Sequence, residues 1–247
     1  MAPLFQRLAR VPGLQRIGRL PVVRDVLVFS QRTGLLASHL KTQVGQGLRW
    51  LVRSRERTNF TYPLKALNEA YLATFVSQIT GAPAETARQY LDELKSDEAL
   101  ATHIRETIAT HPAGRFADET VYYGRRMGWY AVTRILKPAV VVETGIDKGL
   151  GACVLCAALL RNRDEGRPGR YFGTDINPRA GYLLTGRYAE TGTLLYGDSI
   201  ASLERLDERI DLFINDSDHS EDYEAREYDV VASKLSERAS SWATTPT

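Results

Sequence analysis

From residue 139 onward, short apolar runs alternate with longer stretches of helical periodicity. "AVVVE" is a β-branched run followed by a glycine-rich turn and the helix-like "GACVLCAALLRN". "RYFGTD", "TLLYGD" and "IDLFIND" repeat the pattern. After the second of these strands, "NPRAGYLLTGRYAE" predicts a helix with Asn177 as N-cap and Pro178 at its first position. "SIASLERL" follows the third. After the fourth, Glu221 to Glu237 contains neither Gly nor Pro, which predicts one unbroken helix. Strands alternating with helices predict a parallel, doubly wound α/β sheet.

Upstream the texture differs. Residues 62–137 carry apolar positions at helical spacing, in "PLKALNEAYLATFVSQI", "ETARQYLDELK" and "DETVYYGRRMGWYAVTRILK". "SDEALATHIRETI" opens with Ser96 as a cap and acids in its first turn. In residues 1–57, Leu, Val and Ile are interleaved with Arg, and Pro12, Pro21, Gly34 and Gly45 predict a division into short helical pieces. Four regions result: a basic amphipathic arm at 1–57, a helical cap region at 58–137, a sheet domain at 138–238, and a tail at 239–247.

Charge sharpens this division. Residues 1–57 hold eleven Lys or Arg against Asp25 and Glu56, a net of +9, which leaves −7 for the remainder of a chain whose total is +2. Such an arm suits an anionic lipid surface, nucleic acid, a dimer contact or plain solvation. Cys153 and Cys156 are the only cysteines, and they lie inside an apolar helix-like run, so core packing is expected rather than a disulfide, zinc or redox site. No apolar run approaches the roughly 18–20 residues of a membrane span, and arginines interrupt every apolar stretch of the N-terminus. A cytoplasmic or membrane-peripheral location is expected.

In an open α/β sheet, ligands bind beyond the carboxyl ends of the strands. The first end reads "VVETGIDKGLG", with Glu143, Thr144, Gly145, Gly149 and Gly151. Its spacing is not that of dinucleotide binders, and a carboxylate before the first glycine suits a cationic ligand group better than a pyrophosphate. The second ends at Asp175, placed for a ribose diol. The third ends in Asp198 and Ser199, where the acid either accepts from an exocyclic amine or caps the next helix. The implied ligand has an amine, a ribose and a base. The fourth end, "INDSDHSEDYE", has five acids and His219. Histidine titrates near neutrality, which suits a general base. Asp216 is a candidate ligand for a divalent metal, and Asp218 and Ser220 are candidate caps of the following helix. Tyr122, Tyr123 and Trp129 either line the pocket or pack against the sheet.

"VVETGIDKGLG", "GTDINP", "YGDS" and "LFINDSDHSEDYE", in this order, resemble class I S-adenosylmethionine-dependent methyltransferases. The last motif is similar to that of small-molecule O-methyltransferases related to macrocin O-methyltransferase, with Ser217 where that family usually has Gly. The resemblance implies a Rossmann-like sheet, here incomplete with about four parallel strands, preceded by an all-helical region. It implies S-adenosylmethionine held by Glu143, Thr144, Gly145, Gly149, Gly151, Asp175, Asp198, Ser199 and Asp216, with Glu143 on the methionine amine, Asp175 on the ribose and Asp198 on the adenine. It implies His219 as base and Asp216 as a Mg2+ ligand. A small-molecule hydroxyl is the expected acceptor, and a homo-oligomer is compatible. A catalytically inactive remnant is the alternative. Nucleic acid is not an expected partner, since the fourth strand lacks an Asn-Pro-Pro-Tyr-type motif.

The family's sheet has seven strands, and the chain stops after "ASSWATTPT". Truncation is therefore expected, with residues 239–247 as an out-of-frame tail. Read from the third base of each codon, with TCN serines, this stretch permits three apolar residues, a Gly and then polar ones, similar to the family's next strand and metal-site turn.

Overall fold

The computed structural model describes residues 21–56 and 63–243. It divides into two units, Met1–Ser54 and Arg55–Thr247. Within the first, α1 runs Pro21–Arg53 as one helix. The predicted division at Gly34 and Gly45 does not occur. Glycine in a helix interior costs up to about 1 kcal/mol but does not by itself force a turn. The arm's residues 1–20 and the tail's last four residues lie outside the described residues.

The second unit begins with helices α2 (Ala66–Thr80), α3 (Ala84–Lys95), α4 (Glu98–Thr110) and α5 (Arg126–Leu136). The cap of α4 is Asp97 rather than Ser96: its side chain accepts from Leu100 N at 2.9 Å, while Ser96 bonds back to Asp92 O. Then come β1 (Val140–Thr144), α6 (Leu150–Asp164), β2 (Arg170–Asp175), β3 (Gly192–Tyr196), α7 (Ser199–Arg205), β4 (Ile210–Asn215), α8 (Glu221–Ala232) and β5 (Leu235–Ala243). All pairings are parallel, in the order β3-β2-β1-β4-β5. The Rossmann-like α/β architecture and the helical region before it are as expected.

Two predicted helices change. No regular α-helix follows Asn177; its side chain accepts from Arg179 N in a turn. Gly181 and Gly186 take φ of 75° and 56°, which an α-helix does not allow. Helix α8 ends at Ala232, not Glu237, and the chain re-enters the sheet as a fifth strand. β5 is aligned with β4 from Leu212↔Ser240 to Asn215↔Ala243, after a register shift beyond Ile210↔Leu235. Residues 239–243, expected as a tail, are thus strand. Trp242 packs on the main core and meets Phe75 of α2 edge to face, ring centroids 5.0 Å apart.

Alternation along the strands builds two cores. Val141, Tyr171, Leu212 and Ile214 face α5, α6 and the helical region. Val140, Val142 and Phe213 face α7 and α8. Cys153 and Cys156 are buried in the first core as packing residues. Each large apolar side chain buried this way contributes about 1.5–3 kcal/mol.

A polar bolt joins the helical region to the sheet domain. The buried Arg134 guanidinium donates to Glu93 Oε1 at 2.7 Å, to Glu165 Oε1 at 2.6 Å and to Asn162 Oδ1. Tyr130 adds a 2.6 Å bond to Glu93. Arg134 and Lys137 hold Glu165 down at about 2. A depressed carboxylate stabilises the fold above its ordinary range, and that contribution is lost as pH falls from about 4.5 toward 2. Arg134→Ala should cost on the order of 3–5 kcal/mol by urea denaturation, because it strands acids built to face a cation. Glu165→Gln should cost less and should flatten the acid limb of the stability profile.

Candidate functional site

The carboxyl ends of β1 and β4 lie side by side at the point where the strand order reverses. The two backbones approach closely there. Gly145 N–H donates to Thr174 O, and Asp216 N–H to Thr144 O, each at 2.9 Å. Gly145 has φ of 79°, and a Cβ on it would stand 2.0 Å from Asp216 O. Only glycine fits that turn.

A cleft of about 630 Å3 opens over these ends. Gly145, Asp175, Asp198, Ser199, Asp216 and His219 all line it, so the structure gathers residues up to 74 positions apart in sequence. Its volume falls within the range of small-molecule sites. Asp175 accepts from Asp147 N–H at 3.0 Å on one oxygen and from Asn177 N–H at 2.8 Å on the other. Each oxygen keeps a further lone pair, so a diol could still bind. Asp198 caps α7 through Ala201 N–H at 2.9 Å and accepts from the Tyr223 hydroxyl at 3.0 Å. The cap role, left open in the sequence, is present beside its place in the cleft. Asp218 accepts from Ser220 N–H in the turn before α8.

Glu143, Thr144, Gly149 and Gly151 are not among the lining side chains. Glu143 is buried behind the cleft, where the Tyr171 hydroxyl donates to it at 2.5 Å. A Cβ on Gly151 would meet its Oε1 at 2.3 Å. Burial pushes Glu143 up to about 8, against the opposing pull of the Tyr171 bond, with Asp216 and Asp175 adding to the rise. At neutral pH the group is thus largely protonated, and it offers little charge to a cationic ligand. Thr144 points toward Glu227, at 3.4 Å.

Tyr123 and Trp129 are buried in the core, and with Tyr122 they stay out of this cleft. The arginines between them enter it instead. Arg125 donates to Asp216 Oδ1 at 3.0 Å, and Arg126 lies 3.8 Å from Oδ2. His219 Nε2 stands 4.0 Å from Oδ1. Two guanidinium groups beside Asp216 oppose a divalent cation there. Among the described residues, no group of three or more His, Cys, Asp or Glu is arranged to hold a metal. The residues present do not fit the expected Mg2+.

Two contributors had no signal in the sequence that singled them out. Ile176, directly after Asp175, stands 80% exposed in the cleft wall and offers an apolar face to a flat ring. Glu227 of α8 is fully buried, yet it looks like any surface acid in "EDYEAREYD". Its Oε2 accepts from Asn215 Nδ2 at 2.8 Å and Ser217 Oγ at 2.7 Å, and its Oε1 accepts from Ser199 Oγ.

Two outcomes follow. Between about pH 4.5 and 8 the folded chain holds a proton on Glu143 that the unfolded chain releases, so this group's contribution to stability falls as pH rises through that window. Glu143→Gln should remove that part of the slope in thermal unfolding followed against pH. Glu227→Ala should cost several kcal/mol, about 1–3 per stranded buried partner, and should disorder the strand-end loops before the sheet, as hydrogen exchange would resolve.

Comparison with curated proteins found no match. Among solved structures, the chain is similar to the SAH-bound methyltransferase PaMTH1 of Podospora anserina, at 16% identity and a TM-score of 0.46, over 74% of this chain and 71% of that one. It is also similar to the O-methyltransferase of Bacillus cereus in complex with SAH, at 13% identity and a TM-score of 0.39, over 67% and 68%. Both likenesses are distant. The family model described as a methyltransferase domain matches residues 142–240, which reach all five strands and include nearly every lining residue of the cleft.

Proposed function

We propose that the chain is an S-adenosylmethionine-dependent methyltransferase of the class I type, acting on a hydroxyl of a small molecule, as in the enzymes related to macrocin O-methyltransferase. The observation that carries this reading is the convergence of Gly145, Asp175, Ile176, Asp198 and Asp216 from four strand ends on one cleft. Asp175 would take the ribose diol, Ile176 the face of the base, and Asp198 with Tyr223 its polar edge. Glu143 is not used for the methionine amine. Its buried carboxyl instead holds Tyr171 behind the glycine turn. Asp216 would face that amine, sharing its charge with Arg125 and Arg126.

Bound S-adenosylmethionine would supply a methyl group on a sulfonium, an electrophile open to in-line displacement by the acceptor oxygen. The chain must align the acceptor and take its proton. His219 lines the same cleft beside Asp216, where its imidazole would receive the hydroxyl proton. No metal takes part in this account.

Titration calorimetry with S-adenosylmethionine should give saturable, equimolar binding, and Asp175→Asn should weaken it about tenfold to a hundredfold. Transfer of labelled methyl to hydroxyl acceptors should proceed without added magnesium. His219→Ala should lower kcat about a hundredfold or more while leaving cofactor affinity in place. No binding of S-adenosylmethionine would overturn the proposal. Binding with no transfer to any hydroxyl acceptor would favour the inactive alternative.

A further inference from the structure

Helix α1 joins two properties on one element. Over Pro21–Arg53 it is about 50 Å long at 1.5 Å per residue. Val26, Phe29, Leu36, Leu40, Val44, Leu48 and Leu51 recur at three-, four- and seven-residue steps and form one stripe. These seven side chains are between 41% and 73% exposed. Soluble domains seldom leave so long an apolar row in water.

The helix also carries Arg24, Arg32, Lys41, Arg49 and Arg53 against Asp25 alone, a net charge of +4. At about 100° per residue, Arg32 and Lys41 fall on the two flanks of the stripe and Arg49 opposite it. No described helix is long and apolar enough to cross a membrane. An apolar stripe with cations on its flanks fits the plane of a bilayer surface. In that plane the stripe would enter the acyl boundary while Arg32 and Lys41 would extend to the headgroups.

We infer that α1 is an in-plane anchor that binds the chain to anionic lipid surfaces. Charge selects this occupant. A second copy of α1 on the stripe would bring together two helices that each carry a net charge of +4, and like charges along such a seam oppose pairing. Nucleic acid would engage the cations but leave seven apolar side chains in water. Anionic headgroups above an acyl layer satisfy both features at once. Residues 1–20 add Arg7, Arg10, Arg16 and Arg19 with no acid, which strengthens the same attraction.

The test is sedimentation of the full chain with vesicles of phosphatidylcholine alone or mixed with phosphatidylserine. The chain should pellet with the mixed vesicles and much less with phosphatidylcholine, and rising salt should weaken the binding. The triple variant Phe29→Glu, Leu36→Glu, Leu40→Glu should stay in the supernatant, with its thermal unfolding unchanged as proof of an intact body. Arg32→Glu with Lys41→Glu should lower the preference for phosphatidylserine about tenfold or more. Three results would overturn the inference: no pelleting with either vesicle, pelleting that the triple variant leaves unchanged, or light scattering that finds a lipid-indifferent dimer which the triple variant dissociates.

Discussion

The buried carboxylate of Glu227 is the interaction on which the site depends. It sits on α8, yet its partners come from the end of β1, the end of β4, the loop after β4 and the start of α7. A buried carboxylate is tolerated only where donors surround it, so Thr144, Ser199, Asn215 and Ser217 are held to it by the cost of leaving it bare. That bundle fixes the loop from Asp216 to His219 against the first glycine turn. The backbone contact of Gly145 with Asp216 then closes the floor of the cleft.

Charge in the cleft is arranged in layers. At its rear, Glu143 is pushed toward its neutral form by burial and serves Tyr171. At its mouth, Asp216 stays exposed to two arginines from the start of α5. The helical region is therefore part of the site, because it supplies the cations that define what Asp216 can do. An acid so placed suits a ligand that carries both a cationic and an anionic group, and it disfavours a hard metal. The Arg134 bolt on the same helix keeps α5 in register with α3 and α6, which carries this placement back to the core.

Legibility followed the strength of local signals. Val140–Val142 and the run from Ile210 to Ile214 are largely β-branched or apolar, so burial on both sides of a central strand was readable without the fold. Asp175 and Gly145 were readable because their places at strand ends follow once the strands are known. The turn after Asn177 reads as a helix in the sequence because its cap and proline are good helix signals, while the left-handed glycines at 181 and 186 only show their conformation in three dimensions. Strand β5 was invisible for a different reason. Ala239, Ser240 and Ser241 carry no strand propensity to speak of, and only the free edge of β4 and the packing of Trp242 recruit them.

By itself, the sequence determined the α/β alternation, the acids and glycines at the strand ends, and the separation of a basic amphipathic arm from an acidic body. These are local matters of period, turn chemistry and charge. The tertiary structure decided which carboxylates face the cleft and which lie behind it, and that Asp216 meets arginines rather than a metal set. It also decided that Glu227 is buried and that the last described residues form a strand. Each of these depends on which distant groups arrive next to one another, and an acid's role is set by those neighbours rather than by its own identity.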